Sequence, residues 1–333
     1  MTRAPALGTA TAGVTTLPTP RIESLDQYRG CLIFLMIAAN LLNNYDVIPA
    51  WLRHSCEFGR IHLIDIGVSL FMFTVGLSLG LATARSLSTR GAPTTIRRFV
   101  CRDFVLIAFG LTGALLQKRG VFTDWEVFQS IGLASLIALP FVFLAPVLRI
   151  TVGLGLVSTF HVLGALGYWN WLKSSDVGGM GGVLGSLAWG GIILFGSGLS
   201  GLLQGNWRGY RNATLVMGIV GIGAGLILAR FMPLDKRLIT MPYVLFTTGI
   251  AAFAALLFGL LVRVPDFRFW PFKVMGTNAL VIFMLHAVLI LGILAVVPPG
   301  SPLGPVALAL LALYAVCFLI AGWLYHRRIL IRL

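Results

Sequence analysis

Ten apolar segments dominate the sequence, at about residues 26–43, 60–84, 99–117, 126–146, 148–168, 182–203, 212–232, 241–262, 270–297 and 303–325. Each is as long as the roughly 20 residues that a helix needs to cross a bilayer. In lipid every backbone N–H and C=O must be satisfied within the segment, so runs of this kind fold as helices. The charge is too sparse for any other class: 58% of the 333 residues are hydrophobic and 11% are charged, against about 45–50% and 25% in a soluble domain. The mean hydropathy of +0.92 excludes disorder, collagen, coiled coil and a disulfide scaffold for most of the chain. The fold class is therefore all-α, a polytopic membrane bundle of about ten transmembrane helices.

The loops between segments are short and leave no room for an inserted soluble domain. Residues 1–20 are Thr-, Ala-, Pro- and Gly-rich and lack the continuous apolar core of a cleavable signal. They read as a disordered tail, and 21–333 as a single transmembrane domain. Glycines in segments five to seven (Gly153, Gly155, Gly164, Gly190, Gly191, Gly196, Gly198, Gly201) suit close helix contact in lipid. With ten helices, 17 of the 25 Lys and Arg residues flank one side of the bundle and 8 the other. The positive-inside bias then puts both termini in the cytoplasm, with the 44–59 loop facing outward, as in a multi-pass protein of the plasma (inner) membrane.

The same bias accounts for the net charge of +14. No basic run carries interleaved aromatics, so nucleic acid is not an expected partner; the lipid bilayer is. Cys31, Cys56, Cys101 and Cys317 are far apart, form no CxxC or Cys/His pair, and predict no metal site.

Polar groups inside membrane helices are expensive and mark function by default. His54 lies in the loop before the second helix, and Asp65 lies inside that helix. A loop folding back over the helix top would bring the imidazole to the carboxylate, fixing its tautomer and raising its basicity. Asn40, in the last turn of the first helix, is placed to polarise a carbonyl that develops negative charge. The structural alternative is an interfacial histidine and a buried aspartate balanced by Arg53 or Arg60. Asn278 and His286 are eight residues apart on one expected helix, so about 12 Å apart along its axis, and would line one cavity at different depths. The alternative for Asn278 is interhelical hydrogen bonding, and the lone His161 reads as packing. Arg97, Arg98 and Arg102 belong to an arginine-rich inner loop suited to phosphates, although positive-inside bias predicts the same residues.

The motifs along the chain resemble the heparan-α-glucosaminide N-acetyltransferase family. Arg21-Ile22-Glu23-Ser24-Leu25-Asp26-Gln27-Tyr28-Arg29-Gly30 and then Met36 to Asn40 are similar to its opening, R-x-x-S-L-D-x-x-R-G followed by M-x-x-x-N. Leu52-Arg53-His54-Ser55 resembles its histidine loop, and Asp65 with Phe71 to Ser78 its following helix. Tyr243 to Gly249 and Gly276-Thr277-Asn278-Ala279 resemble later motifs, in the same order. The sequence departs from the pattern at Glu57-Phe58-Gly59, where the family has W-N/H-G, and at Ser130, where it has Arg in Q-R-I.

The resemblance implies a membrane acyltransferase that takes acetyl from cytoplasmic acetyl-CoA, as co-substrate, and passes it to a sugar acceptor at the outer face. It puts His54 on the catalytic histidine, with Asn40 and Asp65 as its companions. Arg97, Arg98, Arg102, Asn278 and His286 are the expected donor-binding residues. A homodimer is compatible with this reading. Two rivals stay open on sequence alone: a secondary transporter with Asp65, Asn278 and His286 at its midplane, and a non-enzymatic membrane member of the same fold.

Overall fold

The computed structural model describes residues 22–55, 57–117, 125–175, 179–264 and 269–330, and among them every regular element is helical. The expected tail at 1–20 lies outside the described residues. The helices are α1 (Glu23–Leu42), α2 (Gly67–Arg90), α3 (Ala92–Leu116), α4 (Val127–Ala138), α5 (Pro146–Leu163), α6 (Trp169–Ser174), α7 (Gly182–Ser200), α8 (Trp207–Leu228), α9 (Met241–Leu261), α10 (Trp270–Thr277), α11 (Ala279–Val296) and α12 (Leu303–His326). A 3-10 turn, Leu63–Ile66, runs directly into α2, and a π turn, Gly164–Tyr168, joins α5 to α6.

Nine helices among the described residues are long and apolar enough to span a membrane, and Val127–Phe143 is a shorter apolar one. The chain ends decide its role. Ile22 and Leu330 line one cavity, Asn278 donates to the Ile329 carbonyl at 3.1 Å, and Lys273 pairs with Glu23 at 3.0 Å. Both ends of the described chain therefore lie at the same end of the bundle, which requires an even number of crossings. Val127–Phe143 supplies the tenth, running from Trp125, bonded to Ser186 near the start of α7, to Leu144, whose carbonyl accepts from Arg149 near the end of α7. At 1.5 Å per residue it covers about 25 Å, just enough.

Close backbone contact holds the bundle together. A Cβ at Gly276 would stand 1.7 Å from the Asp26 carbonyl oxygen, and one at Gly30 would stand 1.8 Å from that of Phe272, so these two glycines let the α1 and α10 backbones approach this closely. Gly76 and Gly196 serve the α2–α7 crossing in the same way, and Gly153 and Gly191 the α5–α7 crossing. The expected glycine contacts thus hold for Gly153, Gly190, Gly191, Gly196 and Gly198. Gly155 and Gly201 face open space.

Two elements differ from expectation. Segment nine is not one helix but breaks at Asn278 (φ −122°, ψ 43°), leaving α10 short and α11 starting afresh. The third segment begins earlier than its hydropathy suggests, at Ala92, after Gly91 (φ 77°) and with Pro93 in its first turn; Asp103 inside it is fully buried with Arg102 against it at 2.6 Å. The pair neutralises itself within the helix and does not interrupt it.

Candidate active site

The site lies at the end of the bundle away from the chain ends, where α1 stops and α2 begins. Asn43, the C-cap of α1, accepts the His54 backbone N–H on Oδ1 at 2.8 Å, which folds the loop back over the helix tops. Asp65 occupies the 3-10 turn and is 1% exposed. The His54 Nδ1–H donates to Asp65 Oδ1 at 2.8 Å. The other carboxylate oxygen, Oδ2, accepts from the backbone N–H groups of His62 at 2.9 Å and Ser55 at 3.2 Å. Sequence reasoning placed these two residues together, and the structure brings them into contact.

Asp65 is balanced by neither Arg53 nor Arg60. Arg53 pairs with Asp46 at 3.4 Å and Arg60 with Glu57 at 2.9 Å, both near the surface. The cation is Lys236, from the α8–α9 connection, whose Nζ stands 3.3 Å from Asp65 Oδ1 and 3.2 Å from His54 Nδ1. Sequence reasoning missed it, because one lysine in an outer loop looks like any interfacial charge. It also missed the support beneath Asp65: Tyr243 donates to the Asp65 carbonyl at 2.7 Å and accepts from Ser69 at 2.9 Å.

His54 titrates below the ordinary histidine value. Burial disfavours its charged form, Lys236 repels it further, and the Asp65 hydrogen bond opposes both without overcoming them. With Nδ1 protonated by its bond to Asp65, the neutral ring carries its lone pair on Nε2. That nitrogen has the electronic character of a base or nucleophile.

Asn40 stands one helical turn below Asn43, and its Nδ2 donates to His286 Nε2 at 3.0 Å. His286 is 1% exposed and stacks on Phe283, with ring centroids 4.8 Å apart. His286 therefore belongs with Asn40 rather than with the arginines, because the eight residues of α11 from Asn278 carry it about 12 Å up the bundle.

At the opposite end opens a cavity of about 900 Å³, a size typical of ligand sites. Its mouth holds five arginines (Arg29, Arg85, Arg90, Arg98, Arg102) and one carboxylate, Asp26, which pairs with Arg29. Asn278 is also in its wall. Arg97 is exposed and outside the lining, since one step along a helix turns a side chain by about 100°. Going inward the lining becomes apolar and ends at Phe71, which packs on Phe283 with centroids 5.4 Å apart. Phe71 lies six residues beyond Asp65, or about 9 Å along the axis. Among the described residues no group of three His, Cys, Asp or Glu side chains is placed to hold a metal ion.

Residues 21–212 match the family model described as heparan-alpha-glucosaminide N-acetyltransferase, catalytic. No curated protein matches the chain.

Proposed function

Because the chain belongs to the heparan-alpha-glucosaminide N-acetyltransferase family, a family of membrane acetyltransferases, we propose that it moves an acetyl group from acetyl-CoA to a sugar acceptor across the bilayer. The observation that carries this reading is the arginine-rimmed cavity that runs along α2 from Arg85 to Phe71, about 21 Å, and so ends about 9 Å short of Asp65 along the helix axis. Its residues fit a donor of that chemistry. Arginines suit phosphates bidentately, and an apolar depth suits an extended uncharged arm. The arginine-rich end then faces the cytoplasm of a plasma-membrane protein, where acetyl-CoA is made, and 21–333 acts as one domain.

In this reading the thioester lies next to Asn40, whose position His286 fixes. The amide polarises the thioester carbonyl as negative charge grows on its oxygen. His54 Nε2 either takes the acyl group itself or takes the proton of the attacking sugar hydroxyl or amine. In both routes the C–S bond breaks, a C–O or C–N bond forms on the acceptor, and the acceptor's proton ends on the departing thiolate. Both need a neutral imidazole with its lone pair on Nε2.

The test is acetyl transfer from radiolabelled acetyl-CoA to a panel of amino and hydroxyl sugars by purified protein in nanodiscs, wild type beside His54→Ala. Transfer that disappears in His54→Ala supports the proposal. Transfer at the wild-type rate in that variant ends it.

A further inference from the structure

Lys236 lies outside the matched stretch and outside every motif read from the sequence, yet it touches both members of the histidine–aspartate pair. Its position is built in. Asp235 accepts the Gly59 backbone N–H at 2.6 Å and that of Leu238 at 2.9 Å, so the turn that carries Lys236 is tied to the loop that carries His54. Lys236 is 12% exposed, and its Nζ is 3.3 Å from Asp65 Oδ1 and 3.2 Å from His54 Nδ1.

We infer that Lys236 is a positioning residue for His54: it neutralises Asp65, and so holds the imidazole as the uncharged ring with its proton on Nδ1 and its lone pair on Nε2. The inference rests on the function proposed above and assigns this lysine a role within that site. A bare carboxylate 2.8 Å from an imidazole stabilises the imidazolium, which has no lone pair to offer; an opposite charge at this range shifts a pKa by about 1–3 units. A carboxylate paired with an ammonium keeps the directional hydrogen bond to Nδ1 and loses most of that pull. While Asp65 holds the Nδ1 proton, Lys236 cannot donate to Nδ1, so its own bond goes to the carboxylate.

Of the other charged groups around His54, His62 adds a smaller repulsion than Lys236, and the rest are engaged elsewhere. On its own loop, His62 is bonded through Nδ1 to the Arg53 carbonyl at 2.8 Å, while Arg53 and Arg60 pair with Asp46 and Glu57. From the α8–α9 connection, Asp235 is taken by two backbone N–H groups and Arg237 lies 4.4 Å over the Phe58 ring. Lys173 of α6 approaches the same ring at 6.0 Å. The balance at Asp65 therefore rests on Lys236.

The experiment follows the titration of His54 in full-length protein in nanodiscs, by NMR of ring-labelled histidine with the signal assigned through His54→Ala. Lys236→Met and Lys236→Gln are expected to raise the titration midpoint by about one unit or more. They should lower kcat/KM below the wild-type midpoint, by up to about tenfold per unit of rise, and leave it within about twofold of wild type at pH 9, with Lys236→Arg restoring the wild-type profile. An unchanged midpoint in both variants overturns the inference, as does an equal activity loss at every pH without rescue by arginine. The titration is read without turnover, so it decides the role of Lys236 even if His54→Ala shows the proposed reaction to be wrong.

Discussion

Replacing Asp65 with asparagine tests the site most directly, because the amide cannot serve all the donors that the carboxylate does. Oδ1 accepts from the His54 Nδ1–H at 2.8 Å and from Lys236 at 3.3 Å, and Oδ2 from two backbone N–H groups at 2.9 and 3.2 Å. Asparagine offers one oxygen and one NH₂. With the NH₂ toward the backbone, two N–H groups lose their acceptor, at about 1–3 kcal/mol each. The oxygen therefore takes the Oδ2 place and the NH₂ faces the imidazole. There either it or Lys236, 3.2 Å away, donates to the one Nδ1 lone pair, and the ring proton moves to Nε2. The histidine is then present and uncharged but in the wrong tautomer. Positioned acid–base catalysis contributes about 10²–10⁴, so kcat for acetyl transfer is expected to fall within that range. KM for acetyl-CoA stays within about twofold, since the arginine cavity is at the other end of the bundle. Steady-state transfer assays in nanodiscs give both constants, and ¹⁵N shifts of labelled histidine report the tautomer. Asp65→Asn that keeps more than about a third of kcat, or keeps its proton on Nδ1, refutes the reasoning.

Other perturbations separate the remaining parts of the argument. The acid limb of kcat/KM should lie below the ordinary histidine value of 6.5, with activity rising as pH rises through it, because burial and Lys236 lower the His54 pKa; a limb above 6.5 contradicts that balance. Gly276→Ala should cost about 1–3 kcal/mol or more in stability, since its Cβ meets the Asp26 carbonyl oxygen at 1.7 Å and backbone cannot rotate away, whereas Gly155→Ala faces open space and should leave the melting temperature in detergent unchanged. Arg98→Ala should raise KM for acetyl-CoA about tenfold, and Arg97→Ala, outside the cavity, less than about twofold; equal effects would mean that the inner charge acts only as a diffuse field.

The bundle was legible in the sequence because lipid imposes one requirement on every segment, and hydropathy reports it. Its irregularities were not. Gly276 and Asn278 are residues that can end a helix, but the apolar run continues beyond them and hydropathy alone does not mark the break; the break is fixed by Asn278 reaching the Ile329 carbonyl and by the close seating of Gly276 on α1. Glycine content announced close packing but not which faces meet, and Gly155 and Gly191, similar in sequence context, end in open space and in a helix crossing. His54 and Asp65 are 11 residues apart, so a local argument about a loop folding onto a helix top could join them. Lys236 is 171 residues from Asp65, and only the packing of α9 against α1 and α2 brings it there.

That distance bears on how the site comes to exist. The matched stretch ends at residue 212 and contains His54, Asp65 and Asn40, yet much of what holds them comes from beyond it. Lys236 supplies the countercharge to Asp65, Tyr243 bonds its carbonyl, Asp235 ties down the loop at Gly59, and His286 holds Asn40. Asp65 is 1% exposed, and a buried carboxylate without its cation is destabilising by several kcal/mol. An assembly of α1 to α7 alone would therefore open to water at Asp65 or hold it protonated, and neither state directs the Nδ1 proton of His54. The arrangement of His54, Asp65 and Lys236 can form only when α9 and its preceding turn dock onto α1 and α2. Folding of the second half is thus what gives the His54–Asp65 pair the defined tautomer that the proposed chemistry needs.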